Sequence, residues 1–274
     1  MKTRNKTGIW IFFLIVAFLQ LFPLIWLVDF SFNTSADFYS DRILKWPSSP
    51  QWQNYVNAWV DGKFLKYFLN SLLVSAVTIA LTVILSLTLS YAFTRMQWKF
   101  RSFFFTIILL GIMIPIHATL LPNFAIFKTL GLTNSYLGLI LPYTAVSVPL
   151  GTFMLTGFLR SIPKAMEESA LMDGCSIYRI VFQIIAPLLM PALVTVIVTT
   201  FLNCWNEFIM AATFLSKDSL KTLPFSVMNF AGQYSSDYGS QFAVMVLTSV
   251  PAIIIYALFN EQITKGVTAG AVKG

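Results

Sequence analysis

The sequence predicts an all-α, polytopic membrane protein with six transmembrane helices and a polar, small-residue-rich loop between the fourth and the fifth. Three observations predict it. Hydrophobic residues make up 57% of the 274 and charged residues only 11%, against about 25% charged in a soluble domain. Six uncharged stretches recur along the chain, each long enough for the roughly 20 apolar residues of a crossing. One polar, small-residue-rich segment, Ile162-Pro163-Lys164-Ala165-Met166-Glu167-Glu168-Ser169-Ala170-Leu171-Met172-Asp173-Gly174, stands between hydrophobic runs. A bilayer core offers no water to hydrogen-bond the backbone, so apolar spans of this length are helices.

The first span covers 7–28, behind Lys2, Arg4 and Lys6. These bases resemble the start of a signal peptide. The apolar run exceeds the roughly 7–15 residues of such a peptide's core, and no small-x-small cleavage site follows, so the helix is read as retained. The second span covers 67–94 and is closed by Arg95, Lys99 and Arg101. The third covers 102–127 and the fourth 129–159. The fifth covers 180–206, and the sixth 238–260. No segment reads as a soluble domain, linker or repeat.

Basic residues orient the spans, because cytoplasmic loops carry an excess of Lys and Arg. With the N-terminus inside, Lys2, Arg4, Lys6, Arg95, Lys99, Arg101, Arg160, Lys164, Arg179, Lys265 and Lys273 fall inside. Arg42, Lys45, Lys63, Lys66, Lys128, Lys217 and Lys221 fall outside. The short loop at 95–101 and the loop at 160–179 lean inward, which puts both termini in the cytoplasm. The net charge of +7 then faces anionic lipid headgroups. Nucleic acid is not an expected partner, since no basic face with stacking aromatics lies outside the membrane. Trp46, Trp52 and Trp59 in the first outer loop fit an interfacial aromatic belt.

Cys175 and Cys204 lie on the cytoplasmic side and within the fifth span, too far apart for a disulfide. A single histidine, His117, rules out His-rich metal chemistry. Near the outer end of the third span, it is read as a polar group hydrogen-bonded inside the bundle. No G-x-x-x-x-G-K-[ST] phosphate loop occurs, so the chain is not expected to hydrolyse ATP. No catalytic, metal or cofactor constellation is found.

The polar loop reads as a helix followed by a second helix. Pro163 suits a first helical turn, where its missing N–H costs nothing. Glu167 and Glu168 follow in the half of the helix that favours negative charge. Gly174 suits the left-handed position that ends a helix. Ala165, Ser169 and Ala170 give the segment small side chains that let another backbone approach. Beyond it, Ile177, Ile180, Val181, Ile184 and Ile185 recur on one helical face. That face is expected to lie on or enter the membrane surface and lead through Pro187 into the fifth span.

At these residues the chain resembles the permease subunits of bacterial ABC importers. Glu168-Ser169-Ala170, then Gly174, then Ile184 and Ala186-Pro187 resemble their EAA loop, with Ser169 in place of the first alanine and Ala186 in place of a leucine. Trp205-Asn206-Glu207-Phe208, Lys221-Thr222-Leu223-Pro224, Gly232-Gln233-Tyr234 and the tail Gly266-Val267-Thr268-Ala269-Gly270-Ala271-Val272-Lys273-Gly274 are similar to elements of the MalG-like carbohydrate branch. The resemblance implies that residues 1–274 form a single type I transmembrane domain that imports di- or oligosaccharides by alternating access. It implies a second homologous permease, two ATPase subunits that carry ATP and magnesium, and an extracellular solute-binding protein. It also implies a multi-pass place in the bacterial inner membrane. The EAA loop, with Glu167, Glu168, Ser169, Ala170, Asp173 and Gly174, would couple the ATPases to the helices.

For the substrate pathway the fifth span offers Thr199, Asn203 and Asn206, which share a helical face, and Glu207 at its outer end. Thr200 neighbours them. Glu207 is alternatively a hydrogen-bonding group that holds an outer gate shut, and the others are alternatively packing contacts between helices. Few other charges enter the spans; Asp29 ends the first. An ion-coupled secondary transporter would need carboxylates near mid-membrane, and an intramembrane hydrolase would need a partner for His117; neither is seen. A polyol or glycerophosphate importer is the nearest alternative, and a phosphate-bearing solute would favour basic residues in the spans.

Overall fold

A computed structural model describes residues 4–39, 44, 46, 47, 49–232 and 236–271, with side chains from 8 to 264. Lys2, Arg42, Lys45, Lys273, the Gln233-Tyr234 pair and residues 272–274 of the tail lie outside the described residues. Among the described residues the regular structure is helical, apart from one isolated β-bridge between Ala231 and Ser236.

Among the described residues, four helices are continuous and apolar enough to cross a bilayer. They are α1 (Arg4–Ser31), α3 (Phe64–Thr94), α6 (Leu137–Leu159) and α13 (Tyr238–Ala271). The third and fifth expected spans are each broken by a sharp bend. In the third, α4 (Arg101–Leu110) runs through a 3₁₀ turn and bends by 95° before α5 (Leu120–Thr129). The cause is Ile114-Pro115, both extended. Proline lacks the N–H that a helix interior needs and pushes its predecessor out of the α region.

The expected fourth span began too early. Residues 130–136 form a turn, with Gly131 and Asn134 at positive φ, and the helix begins at Leu137. The fifth span bends by 84° near Leu189. Ahead of the bend lie α8 (Ile177–Arg179), a π-helical turn at Ile180–Ile185 and α9 (Ala186–Leu188); beyond it runs α10 (Met190–Asn206). Counting each bent pair as one crossing gives six.

The chain divides into two compact units, Met1–Tyr67 with Leu223–Pro251 and Phe68–Thr222 with Ala252–Gly274. In the first, the segment between α1 and α3 folds into an unanticipated helix, α2 (Gln53–Val60). The Asn54 amide donates to the carbonyls of Ser31 and Asn33, each at 2.9 Å. Trp52 rests on Phe32; like Trp46 and Trp59 it stays exposed. Ser35 donates to Asp237 at 2.9 Å. Burial would raise the Asp237 carboxyl, but hydrogen bonds from Ser240, Ser35 and Asn57 outweigh it and hold the group below its ordinary range. The short α12 (Phe225–Met228) belongs to this unit.

The second unit is built on small residues. Ser71, Ser75, Thr78, Thr82, Ser86 and Ser90 form one buried stripe down α3. Without a hydrophobic force between helices in lipid, close backbone approach of this kind holds spans together. At Gly151 of α6 a Cβ would stand 2.5 Å from the Ser86 hydroxyl oxygen and 3.0 Å from its Cβ. Gly151→Ala is expected to destabilise the helix contact by about 1–3 kcal/mol, the usual cost of overpacking. The check is the temperature at which the detergent-purified protein loses its monodisperse elution peak. Ser86→Gly in the same chain should recover part of the loss.

Candidate functional site

The polar loop between the fourth and fifth spans folds as α7 (Ala165–Met172). Its end is a Schellman cap. The Gly174 N–H donates to the Leu171 carbonyl and the Cys175 N–H to that of Ala170, both at 3.0 Å. Gly174 sits at φ +79°, where a residue without Cβ is at ease.

The helix has two faces. Outward, Met166, Glu168, Ser169, Leu171, Met172 and Asp173 are exposed, Met172 by 88%. The Ser169 hydroxyl donates back to the Ala165 carbonyl at 2.9 Å. Inward, Glu167 and Ala170 are buried. Ala170 therefore does not share the outer small-residue face with Ala165 and Ser169. It packs in a core with Leu87, Tyr91, Leu155 and Leu159. Glu167 accepts from the Arg95 Nε at 2.6 Å, and both side chains are more than 90% buried. Removing one partner of a buried pair costs about 3–5 kcal/mol.

The apolar face beyond the loop also departs from expectation. Ile180, Val181 and Ile185 are buried in the same core, so they pack on protein instead of lying on the membrane surface; Ile177 stays half-exposed. The wider π turn lets three neighbouring side chains face inward before the chain bends into α10.

At the far end of α10 the chain breaks at Glu207, whose backbone is extended, and restarts as α11 (Ile209–Phe214). The carboxylate accepts from the N–H groups of Met210 at 2.7 Å and Ala211 at 3.2 Å. The Tyr143 hydroxyl of α6 also donates to it. His117 Nε2 stands 3.5 Å away. His117 thus sits at the break of the third span with its side chain 53% exposed; it is not enclosed in the bundle as expected. Nearby, Asn134 ties two turns together: its side-chain oxygen accepts from Ser216 N–H, Ser216 Oγ and Lys217 N–H at 2.7–2.9 Å.

A cavity of about 630 Å³ opens beside Glu207, lined by His117, Tyr143, Ser147, Asn203, Asn206 and Glu207 among apolar neighbours such as Ile116 and Leu202. Of the residues expected on the pathway, Asn203, Asn206 and Glu207 meet there. Asn206 donates to the Leu202 carbonyl. Thr199 is not part of the lining; its hydroxyl bonds back to the Thr195 and Val196 carbonyls, and Thr200 is buried. Arg95, Tyr143 and Ser147 were missed from sequence. Arg95 is the first charge after an uncharged span, but its partner is 72 residues away and no spacing rule joins them. Cys175 and Cys204 are both free thiols.

The family model described as "Binding-protein-dependent transport system inner membrane component" matches residues 83–268. The sulfoquinovosyl glycerol transport permease SmoH of Agrobacterium fabrum is 35% identical over 93% of this chain and 89% of its own. The trehalose/maltose transport permease MalG of Thermococcus litoralis is 31% identical over 95% of this chain and 94% of its own. Among solved structures, a chain of a bacterial ABC transporter for the acidic polysaccharide alginate superposes with a TM-score of 0.82 at 20% identity, covering 95% of this chain and 98% of that one.

Proposed function

We propose a function from the premise that this chain belongs to the family of binding-protein-dependent transport inner-membrane components: it is the permease subunit of an ABC importer that takes up di- or oligosaccharides. It is a transport permease of the inner membrane with several spans. The similarity to glycoside permeases over nearly the whole chain carries the sugar reading. The cavity agrees with it in chemistry. A sugar has apolar ring faces and a hydroxyl rim, and a mostly apolar pocket with a few convergent amides and hydroxyls suits both. Asn203, Asn206, Ser147 and His117 supply that polar rim. Glu207, already engaged by three donors, shapes the wall.

The remaining parts follow from the same reading. A second, homologous permease completes the pathway. Two ATPase subunits bind ATP and magnesium and dock on the outer face of α7, so this chain needs no cofactor and performs no hydrolysis. An extracellular solute-binding protein delivers the sugar, and both termini lie in the cytoplasm. Residues 1–274 act as one transmembrane domain. Closure of the ATPase pair moves α7, and rigid-body rocking of the spans alternates access to the cavity.

Asn203→Leu together with Asn206→Leu is expected to slow sugar uptake by roughly tenfold while the complex still assembles, since hydrogen-bonding sites lose that much or more when their polar groups are removed. Uptake of radiolabelled oligosaccharide into proteoliposomes carrying the whole complex is the check. Undiminished uptake would move the sugar contacts to the partner permease.

A further inference from the structure

We propose that Arg95 is the positioning residue that locks the cytoplasmic loop to the second membrane span, so that displacement of α7 is passed into α3 instead of being absorbed by the loop. The proposal rests on the reading that the outer face of α7 receives the ATPase.

Arg95 follows α3 directly, and its N–H bonds the Tyr91 carbonyl at 2.8 Å, so its backbone continues the helical hydrogen bonding of the span. Its guanidinium reaches two partners at once. Nε donates to Glu167 of α7 at 2.6 Å, and Nη2 donates to the Ile162 carbonyl at 2.7 Å. Ile162 lies just past the end of α6, so one side chain fastens both the exit of the fourth span and the docking helix to the end of the second. Tyr91, one turn before Arg95, is buried in the core that also holds Ala170.

The linkage is stiff for three reasons. The pair is buried, so water and salt screen it little. The guanidinium is a rigid planar fork that fixes direction as well as charge, which a lysine cannot do. Ala170, one turn further along α7, is set in the same core as Tyr91, so the inner face is held at two points. The outer face, with Glu168 and Met172, carries none of these contacts and is left to the ATPase. Adjacent acids thus divide the work: Glu168 faces out and Glu167 faces in.

The test uses the whole complex, with its second permease, ATPases and binding protein, in proteoliposomes. Variants are Arg95→Ala, Arg95→Lys and the exchange Arg95→Glu with Glu167→Arg. The readouts are ATPase co-purification and sugar moved per ATP hydrolysed. Arg95→Ala should keep its ATPases while sugar per ATP falls by roughly tenfold, a common size for coupling between linked sites. Arg95→Lys should fall between, and the exchange should recover part of the loss. A wild-type ratio in Arg95→Ala, or no recovery in the exchange, would overturn the proposal, as would loss of co-purifying ATPase, which would make the pair a support for docking alone. If Arg95→Ala fails to insert, Arg95→Lys decides, and a wild-type ratio there counts against. Glu168→Lys separates the underlying reading: retained ATPase and a wild-type ratio in that variant would sink docking on the outer face without touching the Arg95 link.

Discussion

Gly174→Asp is expected to leave the chain inserted in the membrane but to cut ATP-driven uptake by about 100-fold, toward the upper end of coupling effects between linked sites. The reason is backbone conformation. A Cβ at this position would meet nothing within 4 Å, yet φ is +79°, a region that costs an ordinary L-residue about 1–2 kcal/mol. The Schellman cap would reopen, freeing the Ala170 and Leu171 carbonyls, and α7 would end in a different direction. Gly174→Asn should do much less harm, because asparagine meets the same left-handed backbone without placing a negative charge at the C-terminal end of α7, where the helix dipole opposes it. Glu168→Lys offers a second route to the same loss, since the exposed side chain changes the charge of the outer face without touching the core. Binding-protein-stimulated ATP hydrolysis and uptake measured on the same proteoliposomes are the checks. Wild-type behaviour in Gly174→Asp and Glu168→Lys together would remove this loop from coupling.

Glu207→Leu is expected to be the most damaging single change at the cavity. It strands the Tyr143 hydroxyl and the N–H groups of Met210 and Ala211, at about 1–3 kcal/mol for each buried donor left unpaired. The break between α10 and α11 would lose its anchor, and with it the shape of the wall that holds Asn203 and Asn206. Tyr143→Phe removes one donor and leaves the two backbone bonds, so it should cost much less. Glu207→Gln keeps one acceptor oxygen and should fall between. Thermal stability of the detergent-purified complex ranks the three. Equal stability in Glu207→Leu and wild type would show that the carboxylate does not hold the break.

Much of this was legible in the sequence because lipid imposes simple demands. Uncharged runs of sufficient length gave the continuous spans, and the proline, acids and glycine around 163–174 gave a short capped helix. What the sequence hid lay in contacts between distant residues and in how helices end. Pro115 signalled a break in the third span, yet its apolar surroundings masked it. The bend near Leu189 has no comparable punctuation apart from Pro187 and Pro191. The division of α7 into an inner Glu167 and an outer Glu168 depends on Arg95, which no local pattern ties to the loop. The shared face of Thr199, Asn203 and Asn206 was correct as helical geometry. Thr199 lies outside the cavity lining, and its hydroxyl bonds back to the preceding turn. Glu207 was visible as a rare charge at a span end, but its role as the anchor of a following helix required seeing the chain restart at Ile209.

Docking of a separate ATPase on the outer face of α7, in the cytoplasm, is the central proposal. Met172 is the side chain to use, being 88% exposed and clear of both the core and the Arg95 pair. A Met172→Cys chain, with Cys175 replaced by serine, would be assembled into the complex in sealed cells. The prediction is a specific disulfide or short-linker adduct to the ATPase subunit, together with protection of position 172 from a membrane-impermeant thiol reagent applied outside. Labelling from the outside, or an intact complex in which position 172 forms no adduct with the ATPase, would contradict it.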